Sequence, residues 1–441
     1  MNTKSDTITP STRALLESLF RSAVAAAHPT GCLPPNLPEP PRRGRLVILA
    51  AGKAAGSMAE IAERHYVTQL PPQRLAGLAV TRHGYGRPTR HIPVIEAGHP
   101  VPDKAGISAT KRALALADAV DADDLVLVLL SGGASANWIA PAPGLTLEAK
   151  QAVTRALLKS GAAIGEINTV RKHLSRIKGG RLAKRAYPAK VVTLAISDVP
   201  GDDPAVIGSG PTMPDPTTLA DARDIASRYR LELPATVTRA LDDPANETPK
   251  PSDKVFAGSD YRIVARPDDA LRAAAERATA AGYECVMLGG SLQGETREVA
   301  AEHAWLALSL SAERRRVVIL SGGELTVTLR GNGRGGPNQE YALALAIHLK
   351  GAPGIASLAA DTDGTDGGGG RPDDPAGAFI DPTTLDRAQA AGLDPAAFLA
   401  DNNSTGFFNG IGDLFRPGPT FTNVTDFRAI VVDRPWDLTG I

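Results

Sequence analysis

Two short segments in the second half of the chain combine charged side chains with glycine. Arg334-Gly-Gly-Pro-Asn-Gln-Glu340 carries a cation, and Asp361-Thr-Asp-Gly-Thr-Asp-Gly367 carries three carboxylates. Glycine lets a ligand approach the main chain closely and leaves N–H groups free to point at anions. Arg334 would stabilise phosphate charge, Asn338 would contact the substrate or the nucleotide, and Asp361 or Asp363 would bind Mg²⁺. This combination predicts phosphoryl transfer.

The acidic segment Asp361–Gly367 has two alternative interpretations, a calcium-binding loop and a simple turn. An EF-hand loop beginning at Asp361 would need glycine at position 366 and glutamate at position 372, where the chain has Asp366 and Pro372. The EF-hand interpretation therefore fails. A surface Asp-Gly turn remains the structural alternative to a Mg²⁺ site.

Four further polar groups each follow a short, continuously apolar run. In open α/β sheets, ligands bind outside the carboxyl ends of the strands, so these groups predict a ligand cleft. They are Gly52 and Lys53 after Leu46–Ala51; Ser131, Gly132 and Gly133 after Leu125–Leu130; Ser197, Asp198 and Asp202 after Val191–Ile196; and Gly322, Gly323 and Glu324 after Val317–Leu320.

Three of these residues have a specific chemical interpretation. The ammonium group of Lys53 would neutralise a phosphate or a developing oxyanion, although the loop that carries it is not a Walker A motif. The alternative is a solvated lysine at the start of a helix. Asp198 would accept the proton of a hydroxyl group, whereas a turn or helix-cap role is the alternative for it and for Asp202. Ser131 is interpreted as a phosphate or hydroxyl contact, because Gly-x-Ser-x-Gly is absent.

Two other segments suit anions. Asn168-Thr-Val-Arg-Lys-His173 is expected to begin a basic helix, whose N-terminus would favour an anion, so that Arg171 or Lys172 would hold a substrate carboxylate. A solvated charged face explains the later cations of that helix, Arg176, Lys178, Arg181, Lys184 and Arg185. The loop from Gly208 through Ser209 to Thr212 offers N–H groups to an anion.

The elements that position these residues follow from hydrophobic periodicity. Continuously apolar runs indicate strands buried on both faces, and helical patterns separate most of them, so the class is α/β. The apolar runs are the four named above together with Val286–Leu288 and Ile355–Ala360. The helical patterns span residues 11–27, 104–120, 148–163, 267–281, 294–312 and 338–349. Leu325–Leu329 alternates like an antiparallel strand, and the polar segment Leu241–Asp253 is the expected linker.

Length and composition restrict the function further. A chain of 441 residues predicts two domains. Lys plus Arg and Asp plus Glu both number 48, which argues against a nucleic-acid or membrane partner. Two cysteines, no apolar leader and no long apolar run lead us to expect a cytoplasmic protein.

Taken together, these motifs resemble the glycerate 2-kinases of the MOFRL type, whose members are often labelled hydroxypyruvate reductases. The matching segments, in family order, are Gly52–Ala55, Gly98-His-Pro-Val-Pro-Asp103, Ser131–Ser135, Asn168–His173, Ser197–Asp202, Gly208–Thr212, Ser321–Glu324, Arg334–Glu340 and Asp361–Gly367.

The resemblance implies a doubly wound, largely parallel α/β domain over residues 1–250 and a smaller mixed-sheet MOFRL-type domain over 251–441, with the active site in the cleft between them. It also implies ATP- and Mg²⁺-dependent phosphorylation of D-glycerate to 2-phosphoglycerate, with the important lysine and arginine at Lys53 and Arg334. D-glycerate and ATP would be the small-molecule partners and Mg²⁺ the metal, with no nucleic-acid or membrane partner, and a homodimer is the assembly to test.

An NAD(P)H-dependent hydroxypyruvate reductase is the alternative function. Gly331-Asn-Gly-Arg-Gly-Gly336 satisfies G-x-G-x-x-G, follows a strand-like run and precedes a helix. Three features argue against this motif: the preceding run alternates, Arg334 is bulky inside the loop, and the trailing acid, Asp361, lies thirty residues from the first glycine.

Overall fold

The structure, a computed structural model, describes residues 10–369 and 371–433. Its helices are α1 (Pro10–Ala27), α2 (Pro29–Cys32), α3 (Ala55–Tyr66), α4 (Lys104–Asp118), α5 (Ala134–Asn137), α6 (Leu147–Lys159), α7 (Ile164–His173), α8 (Arg181–Ala186), α9 (Leu219–Arg228), α10 (Ala235–Asp242), α11 (Pro267–Ala280), α12 (Thr296–Ala312), α13 (Pro337–Leu349), α14 (Thr384–Ala390), α15 (Pro395–Ala400) and α16 (Ser404–Ile411). Its strands are β1 (Leu46–Ala51), β2 (Leu75–Arg82), β3 (Val94–Ala97), β4 (Leu125–Leu130), β5 (Lys190–Ile196), β6 (Asp260–Ala265), β7 (Glu284–Met287), β8 (Val317–Ser321), β9 (Ile355–Asp361), β10 (Gly377–Ile380), β11 (Leu414–Phe415) and β12 (Asp426–Val432).

The chain divides into two compact units. The first unit is Leu33–Val264, and the second combines the described residues up to Cys32 with those from Ala265 onward. Helix α1 belongs to the second unit because Phe20 makes edge-to-face contacts with Phe415 and Phe427. This division differs from the expected ranges 1–250 and 251–441.

The segment expected to be a linker is instead packed inside the first unit. Asn246 and Thr248 are buried, and Glu247 accepts hydrogen bonds from the main-chain N–H of Leu219 and from Lys250. The chain passes to the second unit only after β6, which adds to the edge of the first sheet. The linker interpretation of residues 241–253 is therefore wrong, because the polar groups there pair with the protein and not with water.

The first unit is built on a six-stranded sheet in the order β3-β2-β1-β4-β5-β6. Strands β3, β2, β1, β4 and β5 run parallel. Every residue of β1 and β4 is buried, as their continuous hydrophobicity predicts. This is a doubly wound order that reverses between β1 and β4, and ligands bind at such a reversal. The predicted α/β, largely parallel fold of this region is confirmed.

Helix α7 starts earlier than expected. It begins at Ile164, where Glu166 accepts a hydrogen bond from the main-chain N–H of Ala163, and it ends at His173. Asn168 therefore lies in the middle of the helix and Arg171 and Lys172 lie in its last turn, so the expectation that Asn168 begins a basic helix is wrong. The N-terminal dipole cannot explain anion binding by these side chains.

The second unit contains a mixed sheet in the order β11-β10-β9-β12-β8-β7. Strand β12 is antiparallel to both neighbours, β8 and β9, whereas β7 and β8 are parallel. The predicted mixed sheet is thus confirmed. The alternating run Leu325–Leu329 does not form the expected strand, because only Thr326 makes an isolated bridge, to Glu295.

Within the described residues, no helix combines the length and the apolar character needed to cross a membrane.

Candidate active site

The loops that follow β1 and β4 are joined at the point where the strand order reverses. The main-chain N–H of Lys53 donates to the carbonyl oxygen of Gly132 at 2.7 Å. The next N–H, of Ala54, donates to the hydroxyl oxygen of Ser131 at 2.9 Å. Ser131 is fully buried and Lys53 is half-buried. The two predicted loops therefore form one structure at the ligand-binding edge of the sheet.

Gly133 lies against the side chains of this junction. Its φ of 84° favours glycine, and a methyl group there would lie 2.9 Å from Cδ2 of His99 and 3.3 Å from Cγ of Lys53. The stem of Lys53 and the ring of His99 therefore approach the same main-chain atoms. No role is assigned to His99 from the sequence, and its position in the matching segment Gly98-His-Pro-Val-Pro-Asp103 is the signal that could have placed it here.

A second cluster centres on Ser135, in the short helix α5 that follows Gly133. Nη2 of Arg171 donates to the Ser135 hydroxyl at 2.7 Å, and Nζ of Lys178 donates to the same oxygen at 2.8 Å. The hydroxyl oxygen of Ser209 lies 2.9 Å from that of Ser135. Arg171 also donates to Oδ1 of Asn168 at 3.4 Å. The sequence predicts Asn168, Arg171 and Ser209 as site residues, but it does not predict Lys178.

The electrostatics of this cluster are strongly positive. Burial lowers the pKa of Lys178 well below its ordinary value, and the charges of Arg171 and Lys150 lower it further. Burial likewise lowers the pKa of Lys150, with contributions from Arg171 and Arg181. Positive charges that are buried close together repel one another, so a bound anion would stabilise their charged forms.

Lys172 has a different environment from Arg171. Its Nζ lies 3.5 Å from Oδ1 of Asp215, whose side chain is fully buried. That ion pair ties α7 to the segment that precedes α9. Between the two alternatives for a substrate carboxylate, the geometry favours Arg171.

The residues after β5 line the same edge of the sheet. Ser197 is buried and its hydroxyl accepts from the main-chain N–H of Val199 at 3.3 Å, while Asp198 is half-buried. Asp202 adopts a φ of 55° in the turn beyond them. A methyl group at Gly208 would lie 3.2 Å from Cβ of Ala134, so the Gly208 loop packs against α5. A proton-accepting role for Asp198 remains a prediction.

In the second unit, the glycine-rich loop before α13 packs against the turn between α15 and α16. The main-chain N–H groups of Gly331 and Asn332 donate to the side chains of Asn402 and Asp401, at 3.0 Å each. The N–H of Arg334 donates to Oδ1 of Asn403 at 3.3 Å. A dinucleotide fingerprint needs such N–H groups for pyrophosphate and a strand directly before the loop. Here the N–H groups are already used, and residues 322–330 form no strand, so the structure does not support the reductase motif.

The side chain of Arg334 is 72% exposed, and its Nη2 lies 4.0 Å from Oδ1 of Asp374. It lines a cavity of about 420 Å³ together with Arg371, Arg416 and Thr405. Asp373 and Asp374 also line this cavity, so its three guanidinium groups exceed its carboxylates by one positive charge.

The two candidate magnesium ligands follow β9. Oδ1 of Asp361 accepts from the N–H of Asp363 at 2.8 Å, and Oδ1 of Asp363 accepts from the N–H of Thr365 at 2.7 Å. Asp361 is half-buried, whereas Asp363 is buried. In the described part of the chain, no three acidic, histidine or cysteine side chains gather as a metal cluster. Mg²⁺ bound through one or two carboxylates and substrate phosphates needs no such cluster, so the donors present fit it, Asp361 best.

The predicted residue Asn338 lies inside the second unit, in a buried polar network. Its Nδ2 donates to Asp426 at 2.6 Å and to Asp366 at 3.2 Å. Asp426 is paired with Arg428, which also donates to the carbonyl oxygen of Gly322 at 2.9 Å. The buried residues Gly322 and Gly323 thus belong to this network, and Glu324 beside them is exposed.

Comparison with known proteins agrees with these features. Residues 15–242 match the family model described as a domain of unknown function, DUF4147, and residues 317–426 match the MOFRL family. The chain is 48% identical to a protein of Agrobacterium vitis named "Putative hydroxypyruvate reductase", over 96% of this chain and 95% of that protein. It is 39% identical to the D-glycerate 2-kinase of Thermotoga maritima, over 94% of this chain and 97% of the relative.

The structural comparison gives the same result. The crystal structure of the Thermotoga maritima glycerate kinase superposes with a TM-score of 0.83 at 38% identity, covering 96% of this chain and all of that one. These relatives support a kinase that phosphorylates glycerate. The chain belongs to the glycerate kinase family that carries the MOFRL domain.

Proposed function

We propose that this protein transfers the γ-phosphoryl group of ATP to the 2-hydroxyl group of D-glycerate, giving 2-phosphoglycerate. The observation that carries the proposal is the junction at the carboxyl edge of the first sheet. There Lys53 lies against the Ser131-Gly132-Gly133 turn, and the same turn leads directly to the cations around Ser135. A phosphate site and a carboxylate site next to each other suit a phosphorylated hydroxy acid.

Each assigned side chain has a role that its chemistry permits. Lys53 and Arg334 stabilise negative charge on the transferring phosphoryl group, which is the main contribution that proteins make to this reaction. Asp198, half-buried after β5, accepts or orients the proton of the attacking hydroxyl group. Arg171 binds the carboxylate group of the acceptor.

Mg²⁺ would be held by Asp361, with Asp363 as the second candidate, and would neutralise charge on the nucleotide phosphates. The D configuration and the 2-position are supported by the name of the Thermotoga maritima relative. Ser131, Ser197, Asp202, Gly208 and Glu324 are also proposed to bind the substrates.

Two parallel assays separate this proposal from the reductase alternative. In the first, ADP formation is followed with ATP, Mg²⁺ and D-glycerate. In the second, NADH or NADPH oxidation is followed with hydroxypyruvate. We expect ADP formation that requires D-glycerate and no oxidation of either nucleotide. Cofactor oxidation without ADP formation would overturn the proposal.

A further inference from the structure

The cations at Ser135 are unusual because Lys178 is buried and Arg171 half-buried without a counter-charge. Lys178 is 1% exposed, and its Nζ donates to both the carbonyl and the hydroxyl oxygen of Ser135, at 2.8 Å each. Within the described residues, neither Lys178 nor Arg171 forms an ion pair with a carboxylate. Buried charges in proteins are normally paired, since an unpaired one costs several kcal/mol on the Born argument.

The hydrogen bonding of Ser135 explains how the cations are held. A hydroxyl oxygen accepts two hydrogen bonds and donates one. Arg171 and Lys178 fill both acceptor positions, so the proton of Ser135 is directed to the hydroxyl oxygen of Ser209, 2.9 Å away. This arrangement fixes two positive groups around one point without neutralising either. A bound anion would supply the missing counter-charge.

We propose that Arg171 and Lys178, held by Ser135, form the binding site for the carboxylate group of the acceptor. The identity of the acceptor rests on the proposed function. An arginine fork and an ammonium group together can bind the two oxygens of one carboxylate. The phosphoryl group is assigned to Lys53 instead, which contacts Gly132 and Gly133 earlier in the same segment. Lys178 thus becomes a specificity residue for hydroxy acids over neutral alcohols.

The site has a predictable dependence on pH. The charged groups that act on Lys178 are Arg171 of α7 and Lys150 of α6, both positive, and its other neighbours are the hydroxyl groups of Ser135 and Ser209. Burial and these charges lower the pKa of Lys178 in the free protein. A bound carboxylate raises that pKa again, because opposite charge favours the ammonium form. Binding therefore takes up a proton above the pKa of the free protein, and affinity falls as pH rises.

Calorimetric titration of D-glycerate into the nucleotide-free protein tests this inference. Titrations in two buffers of different ionisation enthalpy measure proton uptake as well as Kd. We expect Lys178→Met to raise Kd at least about tenfold and to abolish proton uptake. The thermal midpoint should hold or rise, because methionine fills the same space without a buried charge. Arg176→Ala, an exposed cation two residues away, is the matched control and should change neither quantity.

Two results would overturn the inference. One is an unchanged Kd and unchanged proton uptake in Lys178→Met, or in Lys178→Gln if the methionine variant does not fold. The other is a site that binds inorganic phosphate and not D-glycerate. If D-glycerate binds through Lys178 but no phosphoryl transfer occurs, the inference holds and the proposed function fails. If transfer occurs while Lys178→Met binds normally, only the inference fails.

Discussion

The ammonium nitrogen of Lys172 lies 3.5 Å from Oδ1 of Asp215, and both side chains are shielded from solvent. The neighbouring Arg171 instead donates to the hydroxyl of Ser135. Two adjacent cations of one helix therefore have separate functions, one structural and one assigned to the substrate.

This separation predicts opposite effects of two substitutions. Lys172→Met leaves Asp215 buried without its cation, so the free energy of unfolding should fall by about 3 kcal/mol. The KM for D-glycerate should not change. Arg171→Leu should raise that KM at least about tenfold, because a charge-assisted hydrogen bond is lost. Urea unfolding and steady-state kinetics on both variants measure these effects, and a raised KM in Lys172→Met would reverse the assignment.

Arg334→Ala should lower kcat on the order of 10²-fold or more, because a donor to the transferring phosphoryl group is lost. Its side chain is largely exposed, so folding should be unaffected. Arg330→Ala, an exposed arginine of the same loop, is the matched control and should keep full activity. Near-normal turnover by Arg334→Ala would remove this residue from the mechanism.

Asp361→Asn should raise the Mg²⁺ concentration needed for half-maximal activity by about tenfold, because one negative ligand is lost. Asp363→Asn tests the second carboxylate in the same titration. Asp386→Asn, an exposed acid of α14, serves as the control. Mg²⁺ titrations that match the unsubstituted protein in both variants would reassign these acids to the turn after β9.

Asp366 should make the second unit less stable at higher pH. Burial raises its pKa from 3.8 to about 7, and the Asp426 carboxylate also raises it, against the opposing hydrogen bonds from Asn338 and Gln339. The unfolded chain loses this proton near pH 3.8 and the folded chain near pH 7, so the unfolding free energy falls as pH rises between these values. The loss is about 4 kcal/mol.

Urea unfolding of the protein and of Asp366→Asn, at steps from pH 5 to pH 8, isolates that contribution. The variant should lack the part of the pH dependence that comes from Asp366, so that its unfolding free energy falls less steeply with pH. Parallel curves for the two proteins would show that Asp366 does not titrate in this range.

The sequence predicts β1, β4, β5, β8 and β9, because their continuously apolar composition alone distinguishes them. It does not predict β2, where Ala76, Gly77 and Ala79 weaken the apolar signal, or β12, where Arg428 interrupts it. Arg428 is tolerated in a fully buried strand only because Asp426 and the carbonyl oxygen of Gly322 pair with it. That pairing depends on contacts between distant segments, which no local pattern contains.

The sequence likewise predicts some residues of the candidate site and misses others. The residues at strand ends, such as Lys53 and Ser131, follow from the strand rule. Lys178 was attributed to a solvated helical face, although Gly179 and Gly180 directly after it indicate that a helix cannot continue there. That glycine pair was the available signal. The burial of Lys178 against Ser135 depends on tertiary packing and could be found only in the structure.

The most direct test of the account is phosphorus NMR of the product formed by the pure protein from D-glycerate and ATP–Mg²⁺. The account predicts ADP and 2-phosphoglycerate in equal amounts. Formation of 3-phosphoglycerate, or ATP that remains intact in the presence of D-glycerate, would contradict it.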